Sequence, residues 1–388
     1  RVMARASSAD PLFSDTELVF GKIPPGASKT WTTHLKVPPH ALDRVDHLTF
    51  ELRDASGALR VKPAPLALRV EAAERPVFAY SHQLIDQSNG DGLVQPGESY
   101  ALRVTVKNTG KGVAEKTTAI LRNASGTDLL LKKTRFELGS LKPGESRTVD
   151  FSFLSSPRIS SEEVVVEMMV YDQVLSESVI EKLHYPVRKA SAGPAAAKGA
   201  VRVTARTTPV YQGASTGSAR IGVAARGAVF AVTGRIGDWL RVDLGKGRPG
   251  FVEAAAVART SSAPRPGGVT LAMQVTPPSL SIQVPSYEVN RPTYRLQGKA
   301  VDDTRVEDVY IFVSNQDAKV ENRKVFYKSN RGSKRPNQLE FAPEIPLWPG
   351  PNLVTVVVRE NDDVKASHTM YLYRPEAPAT ASTAAAAK

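Results

Sequence analysis

One stretch of this chain occurs twice, and the repetition limits the fold more than any other feature. Leu138-Gly139-Ser140-Leu141-Lys142-Pro143-Gly144-Glu145-Ser146-Arg147-Thr148 has a counterpart 118 residues earlier in Phe20-Gly21-Lys22-Ile23-Pro24-Pro25-Gly26-Ala27-Ser28-Lys29-Thr30. At the same offset Thr16 meets Thr134, Asp10 meets Asp128 and Ser7 meets Ser125. Each copy has an apolar strand end, a Pro-Gly turn, and then the two-residue alternation of a half-buried strand, as in Val149, Phe151 and Phe153. Proline presets one turn dihedral and glycine supplies the positive one, so the pair reverses the chain between strands. A repeat of this length built from strands predicts β-sandwich modules.

The repeat also predicts a cut. If Arg1 corresponds to Ala119, the first copy lacks the counterpart of residues 77–118, so the sequence reads as a fragment of a longer protein. Residues 1–74 then form a partial, N-terminally truncated module with strands at 17–20, 31–37, 48–52 and 66–70, and Trp31 is expected to anchor its core. His34, His40 and His47 lack the ordered spacing of a metal site.

Residues 75–188 carry the complete copy, with about seven strands in about 110 residues, which fits an immunoglobulin-like sandwich. Residues 189–200, rich in Ala and Gly, read as a linker, and 259–272 as a second. Between them, 201–258 shows short strands with Trp239 and Phe251 near glycines. Residues 273–375 form another sandwich, and the Ala-rich 376–388 a disordered tail. The expected fold is therefore all-β, tandem immunoglobulin-like β-sandwiches with an inserted small barrel.

With 388 residues, 28 Pro and 27 Gly, and no sustained helical periodicity, several all-β domains are expected rather than one core. There are no cysteines, so disulfides and thiolate metal sites are excluded. The formal net charge of +12 favours polyanionic partners. No apolar run is long enough for a membrane-spanning helix.

The loop Asp86-Gln87-Ser88-Asn89-Gly90-Asp91-Gly92, continuing to Glu98, has partial calcium-loop spacing. With Gly92 sixth, Asn89, Asp91 and Glu98 fall at ligand positions three, five and twelve, but Gln87 stands where an acid should be first. Ca2+ is one reading and an ordinary Asn-Gly-Asp-Gly loop the other; no further cofactor is expected. Gly110-Lys111-Gly112 and Gly245-Lys246-Gly247 lack the phosphate-loop spacing and read as turns. Gly213-Ala214-Ser215-Thr216-Gly217 matches a nucleophile elbow in letters only, because no helix follows, and reads as a flexible loop. No covalent chemistry is expected of this chain.

Lys319, Arg323, Lys324, Lys328, Arg331, Lys334 and Arg335 surround Phe326 and Tyr327. On a hairpin, alternation is expected to send the charges to solvent and the aromatics to the core, so nucleic acid is a less favoured partner than an anionic envelope polymer.

Gly237-Asp238-Trp239-Leu240-Arg241-Val242, followed by Gly250-Phe251-Val252, resembles the bacterial SH3-like domain, with Phe251 where that family commonly has tryptophan. The resemblance implies a cell-wall peptide cleft or a spacer, with Tyr211, Asp238, Trp239, Arg241 and Phe251 as cleft residues. The order of modules resembles the region after the protease domain in bacterial tail-specific, or carboxyl-terminal processing, serine proteases; it rests on residues 78–98, 106–110, 309–313 and 324–327 and on the two Pro-Gly repeats. The family's serine motif and dyad lysine context are absent, so no catalytic residue carries over. The expectation is a non-catalytic, periplasmic or otherwise extracytoplasmic region of an envelope protease. It would present protein or peptide tails, or anchor to peptidoglycan or another anionic polymer. A free-standing adhesion or scaffold protein is the alternative.

Overall fold

The computed structural model describes residues 1–9, 13–61, 63–245, 247–265 and 268–376. Asp10 of the repeat, Lys246 of the Gly-Lys-Gly turn and nearly all of the Ala-rich tail lie outside the described residues. Among the described residues the chain is all-β, its helical content being two single 3-10 turns at Gly126–Asp128 and Ala254–Ala256. Two compact units form, one from Glu74–Pro277 and the other from Arg1–Ala73 with Pro278–Lys388.

In the unit Glu74–Pro277, two four-stranded antiparallel sheets make the immunoglobulin-like sandwich. One has the order Arg135–Leu141, Ala114–Asn123, Glu163–Asp172, Ser178–Pro186, and the other Phe78–Asp86, Ser99–Asn108, Ser146–Ser155, Leu129–Lys133. Alternation fills the space between them: Leu102, Val104 and Val106 are fully buried, as are Val164, Val166, Met168 and Val170. Each such side chain contributes about 1.5–3 kcal/mol by leaving water.

The second body of this unit is an eight-stranded SH3-like sheet with the order Val257–Thr260, Ala200–Val203, Val229–Ile236, Trp239–Asp243, Pro249–Glu253, Thr207–Tyr211, Arg220–Ala225, Val269–Leu271. It closes on Val201, Val210, Ile221, Phe230, Val242 and Val252. Its hairpin pairs Ile236 with Trp239 across Gly237 (φ +52°) and Asp238, a two-residue turn that needs positive φ.

In the other unit, residues 1–73 form a sheet ordered Glu17–Gly21, Val2–Ser7, Arg44–Asp54, Gly57–Ala58, with Leu66–Val70 on the long strand. Pro278–Lys388 supplies a four-stranded sheet, Val320–Ser329, Asp308–Asn315, Gly350–Arg359, Lys365–Arg374, together with a three-stranded and a two-stranded sheet. Leu296, Val309, Ile311, Val354, Val356 and Met370 lie in its core.

The repeat survives in the backbone. Gly21 and Gly139 have φ of +73° and +72°, and Gly26 and Gly144 have +74° and +81°. The strand after the turn does not survive in both copies. Ser146–Ser155 pairs with Ser99–Asn108 and Leu129–Lys133, whereas residues 28–37 form no strand. Trp31, expected as a core anchor, is 48% exposed, and Leu35 and Val37 are also exposed. Alternation predicts a strand only where a neighbouring strand takes up its backbone groups, and this segment has none among the described residues.

Candidate functional site

The hairpin of the SH3-like barrel places Trp239 and Arg241 on one face, two residues apart. Arg241 lies opposite Phe251, and Tyr211 pairs with Phe251 on the other side. Four of the five predicted cleft residues therefore share one face of the sheet. Tyr211 and Trp239 meet edge to face at 5.4 Å, both half-buried. Asp238 is exposed at the hairpin tip, and its carbonyl accepts a hydrogen bond from the Ala254 amide at 2.7 Å.

Phe251 corrects the expectation. It is 1% exposed and is not part of the barrel's own core, because its neighbours Gly250 and Val252 point there instead. It lies on the Arg241 face of the sheet, and at this burial it cannot line an open cleft. On the same face the Arg241 guanidinium rests against Gly90, 3.0 Å from where a Cβ would stand. The Arg241 Nε is buried without a hydrogen-bond partner.

The loop singled out for calcium forms the other side of this seam. Asp91 is fully buried; its carboxylate accepts hydrogen bonds from the Leu93 amide at 2.8 Å, the Gln95 side-chain amide and the Ser191 hydroxyl at 3.2 Å. Asn89 accepts the Asp91 amide at 2.9 Å and donates to Gln95 and to the Ser191 carbonyl. Glu98 turns away to accept the Tyr100 hydroxyl at 2.7 Å. Desolvation raises the pKa of both Asp91 and Glu98, and the nearby Asp86 charge adds to it. Among the described residues no group of three or more His, Asp or Glu is arranged to hold a metal.

These bonds make the loop a clasp. Gln212 of the barrel accepts the Leu84 amide at 3.0 Å, the Ala214 amide donates to the Asp91 carbonyl at 3.1 Å, and Gln83 donates to the Pro249 carbonyl at 2.6 Å. Residues 189–200, expected as a linker, are drawn into the same seam: the Ser191 amide donates to Gln95 at 2.9 Å, and Gly193 packs on the Asn89 carbonyl. The 213–217 loop, expected to be flexible, contributes Gly213, whose missing Cβ would stand 2.5 Å from the Gly92 carbonyl. Backbones can approach this closely only because Gly92, Gly193 and Gly213 lack side chains.

A further seam lies where the chain leaves the barrel. Tyr80 bridges to Val275, and His82 exchanges two backbone hydrogen bonds of 2.8 Å with the Gln274 side chain. The Tyr185 hydroxyl lies 3.3 Å from His82 Nδ1, and burial pushes the His82 pKa down to about 4. Gln83, Gln95, Ser191, Gln212 and Gln274 were not apparent in the sequence. Polar residues at separations of about a hundred positions carry no periodic signal.

Among known families, residues 206–258 match the model of the bacterial SH3 domain, and residues 84–175 match the model named CARDB. No curated protein matches the chain. Two solved structures that align with it are dimeric latent PorU from Porphyromonas gingivalis and Escherichia coli alpha-2-macroglobulin activated by porcine elastase. PorU is 9% identical, with 82% of this chain and 36% of that one covered at a TM-score of 0.17; for alpha-2-macroglobulin the values are 8%, 96%, 40% and 0.19. The chain spans well under half of either protein, and at these scores neither likeness carries an argument. The chain is thus an all-β array containing an immunoglobulin-like CARDB module and a bacterial SH3 domain.

Proposed function

We propose that this chain is a non-catalytic binding and positioning region of a bacterial cell-envelope protein, acting outside the cytoplasm. The observation that carries the reading is the contact between Arg241 of the barrel and Gly90 of the sandwich, on the sheet face that also carries the buried Phe251. It holds the SH3-like barrel in a fixed pose and leaves Tyr211 and Trp239 half-exposed at its margin. Such an arrangement suits a rigid mount with one small aromatic contact for cell-wall peptide, whose weak affinity is raised by tethering. Unpaired sheet edges offer protein or peptide tails a route of capture by strand addition. The enzyme served would be an envelope endopeptidase, on the likeness of module order to tail-specific proteases.

Retention of the purified chain on peptidoglycan sacculi tests this reading. The wild type should be retained and Trp239→Ala should not; equal retention of the two would overturn the wall contact. Casein incubated with the chain should remain uncleaved.

A further inference from the structure

The sheet formed by residues 1–73 repeats one half of the immunoglobulin-like sandwich strand for strand. Its order Glu17–Gly21, Val2–Ser7, Arg44–Asp54, Leu66–Val70 answers to Arg135–Leu141, Ala114–Asn123, Glu163–Asp172, Ser178–Pro186 of the complete copy. The registers agree as well. Ala4 lies opposite Leu18 and Leu52 as Ala119 lies opposite Phe136 and Val170. Ala6 lies opposite Phe50 as Leu121 does opposite Met168, and Leu48 opposite Leu66 as Val166 does opposite Leu183.

In the complete copy a second sheet covers this face, and Leu121, Val166, Met168, Val170 and Leu183 are all buried. No second sheet forms among the described residues of 1–73. At the matching positions Phe50 and Leu52 are only half-buried and Leu66 is 48% exposed. Residues 28–37 take the place of the covering strand Ser146–Ser155 in the repeat, with Trp31, Thr33, Leu35 and Val37 at the positions of Val149, Phe151, Phe153 and Ser155. All four are exposed, and 28–37 belong to no ladder among the described residues. The Lys29 ammonium donates to the Phe20 carbonyl at 3.2 Å, which ties the segment's start to the sheet. Pro38 and Pro39, without amide donors, end it.

An extended segment with unpaired backbone and an apolar stripe is a template for a further strand. The complete copy shows which kind: Ser99–Asn108 runs antiparallel to Ser146–Ser155 and buries Tyr100, Leu102, Val104 and Val106. Charge narrows the choice. Asp150 of the complete copy pairs with Arg103 at 2.8 Å, but Thr32 stands at the Asp150 position, and His34 and Lys36 follow on that side of the alternation. From residue 18 to 42 there are Lys22, Lys29, His34, Lys36 and His40 and no Asp or Glu. Acidic residues on the incoming strand match this field and basic ones are repelled.

The edge strand Val320–Ser329 differs, because Arg323, Lys324 and Lys328 guard it. Of its aromatics only Phe326 packs against the core and Tyr327 is 49% exposed, which corrects the expectation that both face inward.

We propose that residues 28–37 capture, by antiparallel strand addition, an extended segment of another protein in which apolar residues alternate with Asp or Glu. Its apolar side chains close over Phe50, Leu52 and Leu66. This rests on the strand-capture part of the proposed function and gives it a site.

Fluorescence anisotropy of short labelled peptides titrated with the full chain tests the proposal. The probes are a peptide of alternating Val and Glu, one of alternating Val and Lys, and the Val/Glu peptide methylated on every amide nitrogen, which removes the donors a ladder needs. The Val/Glu peptide should bind, and the other two should bind at least about tenfold more weakly. Trp31→Ala and Thr33→Pro should each weaken Val/Glu binding by about tenfold. Both positions are exposed and outside any ladder, so the variants should melt like the wild type. Trp31→Ala should still be retained on sacculi, so the wall contact and this site stand or fall separately. The proposal fails if the Val/Glu peptide does not bind the wild type, if the Val/Lys or methylated peptide binds as tightly, or if both variants bind like the wild type. Self-association of the wild type that is lost in Thr33→Pro would assign the segment to a second copy of the chain and overturn it too.

Discussion

A methyl group on Gly92 would stand 2.2 Å from the carbonyl oxygen of Gln212, a contact between the CARDB module and the SH3-like barrel made backbone to backbone. Gly92 also has φ +74°, so Gly92→Ala meets both a strained dihedral and a rigid obstacle. It should cost about 3 kcal/mol in urea denaturation, against about 1 kcal/mol for Gly144→Ala, which has φ +81° but open space around it. Equal costs would mean that the seam adds nothing to stability.

Phe251 and Trp239 should separate stability from binding. Removal of the buried ring in Phe251→Ala should cost about 3–4 kcal/mol, whereas the half-buried Trp239→Ala should cost about 1 kcal/mol and abolish retention on sacculi. Melting curves and pull-downs on the same two variants check both halves.

His82 should make the protein less stable in mild acid. Its folded pKa, pushed down to about 4, lies below the ordinary value of 6.5, so between those values the unfolded chain takes up a proton that the folded one refuses. Stability is complete above pH 6.5 and falls as the pH drops towards 4, by about 2–3 kcal/mol in all. Asp91 and Glu98, whose pKa values are raised, act in the opposite sense as they take up protons. Comparison with His82→Gln isolates the histidine: between pH 7.5 and 4.5 the variant's denaturation midpoint should move less than that of the wild type.

Asp308 is 1% exposed and receives two hydrogen bonds from Arg359, at 2.9 and 2.7 Å. Arg359→Ala leaves that carboxylate buried without its counter-ion and should cost about 3 kcal/mol. Asp308→Asn/Arg359→Ala should recover part of the loss, a coupling that a double-mutant cycle measures.

Calcium in millimolar excess should shift the melting temperature by less than about 1 °C, because no binding energy is linked to folding if the loop's oxygens stay in their hydrogen bonds. The Asn89 side-chain oxygen already accepts the Asp91 amide, the Asp91 carboxylate accepts from Gln95 and Ser191, and Glu98 accepts from Tyr100. A larger shift, lost in Asn89→Ala, would establish the metal.

The features legible in the sequence were those carried by local chemistry. The Pro-Gly turns at Gly26 and Gly144 and the alternation of Val149, Phe151 and Phe153 each follow from a few adjacent residues. Three features depend on partners that local pattern does not contain. Trp31 alternates like a core residue but has no neighbouring strand among the described residues, and Phe251 looks like a cleft aromatic but is buried. The Asp91 loop has the oxygen spacing of a metal site, and one carboxylate oxygen of Asp91 also accepts from a serine 100 positions away.

The bonds that close the clasp and the further seam span 100 residues from Asp91 to Ser191, 128 from Leu84 to Gln212 and 192 from His82 to Gln274. Closing such long loops is entropically unfavourable until both ends are already shaped. Sandwich and barrel are therefore expected to acquire their own strands before the joint between them closes.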